Sequence, residues 1–218
     1  YMDYLNSYYA QSKKPKWDFV VVNDNSKDPS QSIQREKGLE ALSDKYVPWF
    51  ERTSAIPVFL DTHAYHLTPE TDIPTFTSIT YEGYEQYAAV FEALLPPAQK
   101  PRIAPVGIVF LTVWEEDQAL WQKLFESDGI HLTPLGTFLQ GCVIHYTLLG
   151  RLPVKKDVLR ENMSELWWNA RAMEHSGTTL DPFPSKADAE YVYNIGARVV
   201  KGKHLPKAFY TREDEHHK

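Results

Sequence analysis

Two short apolar runs constrain this chain most. Trp17–Val22 (WDFVVV) and Pro57–Leu60 (PVFL) are uninterrupted and rich in β-branched and aromatic side chains. A strand that is apolar at consecutive positions has no solvent face, which suits a parallel strand covered on both sides. Each run leads into a polar loop and then a helical pattern. Ile33, Leu39, Leu42, Tyr46 and Phe50 recur at helical spacing over 31–52, with Pro48 near the end as a breaker. The loop at 61–77 is long. Tyr84, Tyr87, Phe91 and Leu94 form the stripe of a helix over 80–95 that Pro96-Pro97 stops. Ile103–Val113 (IAPVGIVFLTV) reads as a third strand, and Glu115–Phe125 as a helix.

The later segments follow the same logic. Thr133-Pro134 opens a helix with a capping hydroxyl and a proline at the first position, and Gly150 closes it. Its buried stripe is Leu135, Phe138, Leu139, Cys142, Val143, Tyr146 and Leu149. A short helix is expected over Leu159–Met173 and an amphipathic one over 185–201. Tyr1, Tyr4, Leu5 and Tyr8 read as the end of a helix. Strands alternating with helices predict an α/β fold with a parallel sheet and helices on both faces. Residues 1–201 are expected to form one domain and 202–218 a polar tail.

Composition removes several function classes. A net charge of −6 disfavours general phosphate-backbone binding, so no nucleic acid is expected. The single cysteine, Cys142, excludes an intramolecular disulfide and a cysteine-rich zinc site. No apolar run reaches the roughly 20 residues of a membrane-spanning helix.

The stretch richest in chemistry is Asp128-Gly129-Ile130-His131-Leu132-Thr133-Pro134. An aspartate three residues before a histidine, on a loop feeding a capped helix, brings a carboxylate to the imidazole Nδ1–H. The tautomer is then fixed, and the basic lone pair lies on Nε2, where it can take a proton from a serine hydroxyl. A helix-entry turn holding the same pair without catalysis is the plainer reading of that spacing. Beyond the second strand, Thr62 and His63 in DTHAYH sit where loops build a binding crevice. They are read as substrate-contacting rather than metal-ligating.

The run SDGIHLTPLGTFLQGCVIHYTLLGRLP resembles the last block of the SGNH (GDSL-like) hydrolase family, whose signature there is Asp-x-x-His. WDFVVVNDNS resembles the family's third block, a strand followed by a loop with an oxyanion-hole asparagine. Ile103-Ala104-Pro105-Val106-Gly107 resembles the strand that leads towards the last block. Literal matching of Gly-x-Asn-Asp gives Val21-Val22-Asn23-Asp24. Matching by strand length puts Asn25 at the asparagine instead. Both stay open, with Asn25 slightly preferred. The family's first block, Gly-Asp-Ser or Gly-Asn-Ser, has no counterpart before Trp17. Ser26 is a poor substitute, since too few strands lie between it and His131.

The resemblance implies a three-layer α/β/α domain with a flavodoxin-like parallel sheet, expected to lack its first strand. In that fold the first strand lies between the second and third, so two strand edges should face each other unpaired. Filling them requires an upstream segment, a companion polypeptide or another strand. The implied activity is hydrolysis of esters, including carbohydrate O-acetyl esters, by a Ser-His-Asp mechanism. His131 would be the base, Asp128 its carboxylate, and Asn25 or Asn23 an oxyanion donor. The serine would lie outside this chain, which alone would be inactive. No cofactor and no metal are implied. Two readings from other classes stand beside it: a hydrolase-derived interaction subunit, and a carbohydrate-binding module without turnover.

Overall fold

The strand Ile56–Leu60 is the centre of the sheet. In the computed structural model, which describes residues 17–25, 27–65, 72–155 and 185–202 together with 7, 205–207 and 209, it is the second of three strands. We label these β1 (Phe19–Val22), β2 (Ile56–Leu60) and β3 (Arg102–Ala104). β2 pairs in parallel with both others, Val21 opposite Val58 and Phe59 opposite Ile103. The order is β1-β2-β3. The expected pair of facing, unpaired edges is therefore not found. The described strands form a continuous sheet, and no gap in it calls for a further strand.

The chain divides into two compact units, one of residues 1–62 and 79–104, the other of residues 63–78 and 105–218. The first holds the sheet with helices α1 (Ser32–Ala41), α2 (Val47–Thr53) and the part of α3 (Ile73–Leu94) from Ile79 onward. Its core is aromatic. Phe59 of β2 meets Phe91 edge-on at 5.2 Å, and Phe50 of α2 meets the same ring at 5.3 Å. Such edge-to-face pairs add to the gain from burying area alone. Pro48 does not end the helical run. A π-turn at Leu42–Tyr46 precedes α2, and Pro48 falls in the first turn of α2, where its missing N–H is no loss. Ser54 then closes α2 at φ 58°, and its N–H donates to the Phe50 carbonyl.

β1 departs from the two-sided burial that its sequence suggested. None of its residues is buried, and Val21 is 42% exposed. The Ile56 N–H donates to the Asp18 carbonyl. Because successive residues of a strand point their main-chain N–H and C=O groups to alternate sides, those of Val20 and Val22 also face β2. Phe19 and Val21 therefore turn their amides to the outer edge.

Gln99 is a buried polar side chain with a structural task. Its Nε2 donates to the Phe50 and Ala55 carbonyls, both at 2.8 Å, tying the end of α2 to the approach of β2. Gln99→Leu should lower unfolding free energy by about 2 kcal/mol, measured by urea denaturation. An unchanged midpoint would mean that these bonds contribute nothing net.

The second unit contains α4 (Val106–Glu116), α5 (Gln118–Gln122), α6 (Pro134–Leu149) and α7 (Lys186–Gly202). Here the third-strand expectation is corrected. Only Arg102–Ala104 is strand, Pro105 intervenes, and Val106–Val113 is helical with every residue buried. A helix enclosed on all sides is apolar all round, so its sequence has no amphipathic period to reveal it. The helix expected over Glu115–Phe125 is broken at Asp117. That residue is extended at φ −152° and caps α5 by accepting the Leu120 N–H. The 61–77 loop is shorter than expected, because the Asp72 carboxylate accepts the Thr75 N–H and starts α3 at Ile73. α6 matches its expected caps. Thr133 Oγ1 accepts from Gly136 N–H, and Gly150 adopts φ 66°. α7 packs on α6 and α4, with Val192, Ile195 and Val199 buried. Cys142 lies on the buried face of α6, and burial pushes its thiol up to about 12. No described helix is long and apolar enough to cross a membrane.

The opening helix, the 159–173 helix, Ser26 and most of the tail lie outside the described residues.

Candidate functional site

The loop between α5 and α6 is closed at its base and turned at its tip. Phe125 and Leu132 form a single antiparallel bridge at the base. Glu126 N–H donates to the His131 carbonyl at 2.8 Å, and Gly129 N–H to the Glu126 carbonyl at 2.9 Å. Gly129 sits at φ 70°, a conformation that a Cβ disfavours. Thr133 anchors the exit. Its N–H donates to the Leu124 carbonyl at 2.9 Å and its hydroxyl to the Lys123 carbonyl at 2.7 Å.

Within this frame Asp128 does two jobs. One oxygen, Oδ1, accepts the Ile130 N–H at 2.8 Å and the His131 N–H at 2.9 Å. The other, Oδ2, lies 2.5 Å from His131 Nδ1. The aspartate therefore shapes the turn and holds the imidazole with the same side chain. The expected spacing effect is present: the two groups meet on one rim, each about half exposed. The hydrogen bond from His131 holds the Asp128 carboxyl down to about 2, with the two backbone N–H donors acting the same way. The same bond raises the imidazole above its ordinary 6.5. With Nδ1–H on the carboxylate, the neutral ring carries its basic lone pair on Nε2.

Glu126, Asp128 and His131 offer ligand atoms within 4.8 Å of one another. The Asp128 oxygens are already engaged by three donors. That engagement favours a proton-handling pair over a cation cage.

His63 belongs to the same unit as this loop. Its ring stacks on Phe110 at 4.7 Å and 22°, and lies 5.4 Å from Phe125. Burial lowers its pKa to about 4, against a smaller upward pull from a backbone hydrogen bond with Ile130. It is therefore a neutral ring at physiological pH.

Thr62, Asn23 and Asn25 belong to the other unit. Thr62 hydrogen-bonds the Tyr84 hydroxyl. The turn after β1 is fixed by Asp24. Its Oδ2 accepts the Tyr87 hydroxyl at 2.8 Å and its Oδ1 the Asn25 N–H at 2.8 Å. The two asparagine amides are held more loosely. Asn23 Nδ2 donates to the Asp24 carbonyl at 3.3 Å, and Asn25 Nδ2 to Asp28 Oδ1 at 3.4 Å. Asn23 also lines a groove of about 620 Å³ whose walls include Trp17, Val21 and Trp49. Asn25 does not. The groove adds to their different hydrogen-bond partners in distinguishing the two candidates.

No family model, curated protein or solved structure matches the chain. The site is therefore read from its own chemistry. Sequence reasoning passed over Phe125, Ile130 and Phe110. Phe125 stands just before the Asp-x-x-His residues and Ile130 lies within them, so local position could have flagged both. Phe110 gave no local signal, because its contact with His63 spans a long stretch of chain.

Proposed function

We propose that the chain supplies the base and carboxylate of a Ser-His-Asp ester hydrolase of the SGNH type, on a three-layer α/β/α frame. One observation carries the reading: the 2.5 Å contact between His131 Nδ1 and an Asp128 carboxylate that two backbone N–H groups hold in place. A pair that served only to shape the turn would need Oδ1 alone. The second oxygen fixes the tautomer, which matters for proton transfer through Nε2.

The steps follow from that tautomer. His131 Nε2 takes the proton of a serine hydroxyl as the oxygen attacks the ester carbonyl, and Asp128 stabilises the imidazolium formed. The tetrahedral intermediate expels the alkoxide, which leaves with the proton from Nε2. Water then attacks the acyl-enzyme by the same relay, releasing the acid. A hydrogen-bond donor to the oxyanion, the part the family resemblance gives to an asparagine amide, completes the proposal. The substrate class is a small O-acyl ester, including carbohydrate acetates. In this reading the serine comes from polypeptide outside the 218 residues, in an upstream segment or a companion chain.

The test is hydrolysis of p-nitrophenyl acetate by the full-length protein, with His131→Ala alongside. Turnover by the parent that disappears in the variant supports the reading. Equal rates in the two would overturn it.

A further inference from the structure

We infer that His63 is a positioning residue for the His131–Asp128 pair, acting through a hydrogen bond from its ring N–H to the main-chain carbonyl of Ile130. The inference rests on the hydrolase reading for its functional meaning, though not for its geometry.

The main chain of Ile130 stands between the two members of the pair. Its N–H is already committed to Asp128 Oδ1 at 2.8 Å. The backbone hydrogen bond between His63 and Ile130 must therefore use the Ile130 carbonyl, which an imidazole N–H can reach as a donor. The other ring nitrogen, Nε2, is buried with no hydrogen-bond partner. That assigns the proton to Nδ1 and leaves Nε2 bare among apolar rings. Loss of the proton on Nδ1 or gain of one on Nε2 would each bury an uncompensated charge, so the ring stays a neutral, one-way donor.

The ring is also held from two sides. Phe110 of α4 stacks against its face, and Phe125, the entry stem of the loop, lies beside it. Phe125 is the residue bridged to Leu132 at the exit stem. His63 thus touches the loop at its stem and near its tip. A phenylalanine would fill the same space but could not hold the tip. A histidine adds the one directional bond that sets where Ile130, and with it the N–H groups gripping Asp128 Oδ1, come to rest. Among the described residues, Asp128 and Glu126 are charged groups that act on His131, so a displaced tip would register first in the titration of His131.

The experiment follows the His131 imidazole by NMR in the full chain, comparing the parent with His63→Phe and His63→Gln. In the parent, ¹⁵N shifts should show His63 as a neutral Nδ1–H tautomer, and His131 should titrate above 6.5. In His63→Phe the His131 midpoint should fall back towards 6.5, and exchange of the His131 amide should quicken by about tenfold, the share of one hydrogen bond. His63→Gln keeps a donor and should retain the parent midpoint. An unchanged midpoint and exchange rate in His63→Phe would overturn the inference, since packing alone would then suffice. So would an Nε2–H tautomer in the parent, a reading that needs no variant to fold. If His63→Phe does not fold, loss of the raised midpoint in a folded His63→Gln is equally decisive against it. Turnover enters none of these readouts, so a parent without esterase activity would overturn the proposed function and leave this inference to its own result.

Discussion

Asp128→Asn should lower the proposed ester hydrolysis by about 10⁴-fold, nearly as far as His131→Ala, while leaving the loop in place. The two oxygens of Asp128 make these consequences separable. The asparagine Oδ1 still accepts the Ile130 and His131 N–H groups, so the turn keeps its shape. The amide Nδ2 replaces Oδ2 and presents hydrogens to His131 Nδ1, where the carboxylate presented a lone pair. Nδ1 must then accept, the ring proton moves to Nε2, and the nitrogen that should take the serine proton already carries one. The imidazolium also loses its counter-charge. Steady-state kinetics of the full-length protein, with amide exchange across 125–132 as the structural control, checks both halves. A variant with intact exchange and parental kcat/KM would show that the pair has no catalytic role.

The pH dependence of the parent gives the same pair a second signature. Asp128 is held below its ordinary 3.8, at about 2, so its contribution to the loop is present above 3.8 and lost as pH falls through about 2. His131 is raised above 6.5, so its share is complete below 6.5 and lost as pH rises through the elevated value. The pair therefore holds the loop best between those limits, and the half-exposed setting screens that gain. The proposed catalysis needs the opposite protonation state. A neutral His131 accepts the proton, so the rate climbs on the alkaline side, with a midpoint above 6.5. In Asp128→Asn the residual activity should titrate lower, because the bond that raised the imidazole is gone.

How much of this was legible in the residues depends on whether the deciding contact is local. The Asp128–His131 meeting, the Thr133 cap, Pro134 and the Gly150 stop all act within a few positions, and each stands where its spacing placed it. β2 was legible as well, because a short apolar run between polar segments needs no distant partner to be recognised. Val106–Val113 was not. A helix buried on every face and a strand buried on both faces present the same uniform apolarity, and Pro105 gives the change of structure without naming its direction. β1 erred the other way, since WDFVVV promised two covers and Val21 stays largely exposed. Gln99 and His63 act on carbonyls or rings far along the chain, so their types suggested nothing of their tasks. Asn23 and Asn25 could be chosen as turn formers by type, but their separate surroundings emerge only from the groove beside β1.

Glycines in one helix give the sharpest structural prediction, because the same substitution should have opposite signs less than two turns apart. A Cβ on Gly136 would lie 2.3 Å from the Leu124 carbonyl oxygen and 3.1 Å from Leu132 Cδ2. The oxygen cannot step aside cheaply. It accepts the Thr133 N–H, while the neighbouring Lys123 carbonyl accepts the Thr133 hydroxyl. Gly136→Ala must therefore either break that anchor or push the first turn of α6 away from 124–125. We expect a loss of about 3 kcal/mol, at the upper end for overpacking, because the obstacle is backbone. In a chain of this size that is a fall in Tm of about 10 °C. The displacement falls on the stem that carries Leu132, so the bridge to Phe125 should loosen and the proposed esterase activity should drop with stability. Gly141 has nothing within 4 Å of its added methyl. There alanine only restricts the unfolded chain and favours the helix, and Gly141→Ala should gain about 0.5–1 kcal/mol. Calorimetry of the two variants decides the matter. Equal shifts would mean that α6 approaches 124–125 less closely than these distances require, and that the loop carrying Asp128 and His131 is seated by something other than the glycine.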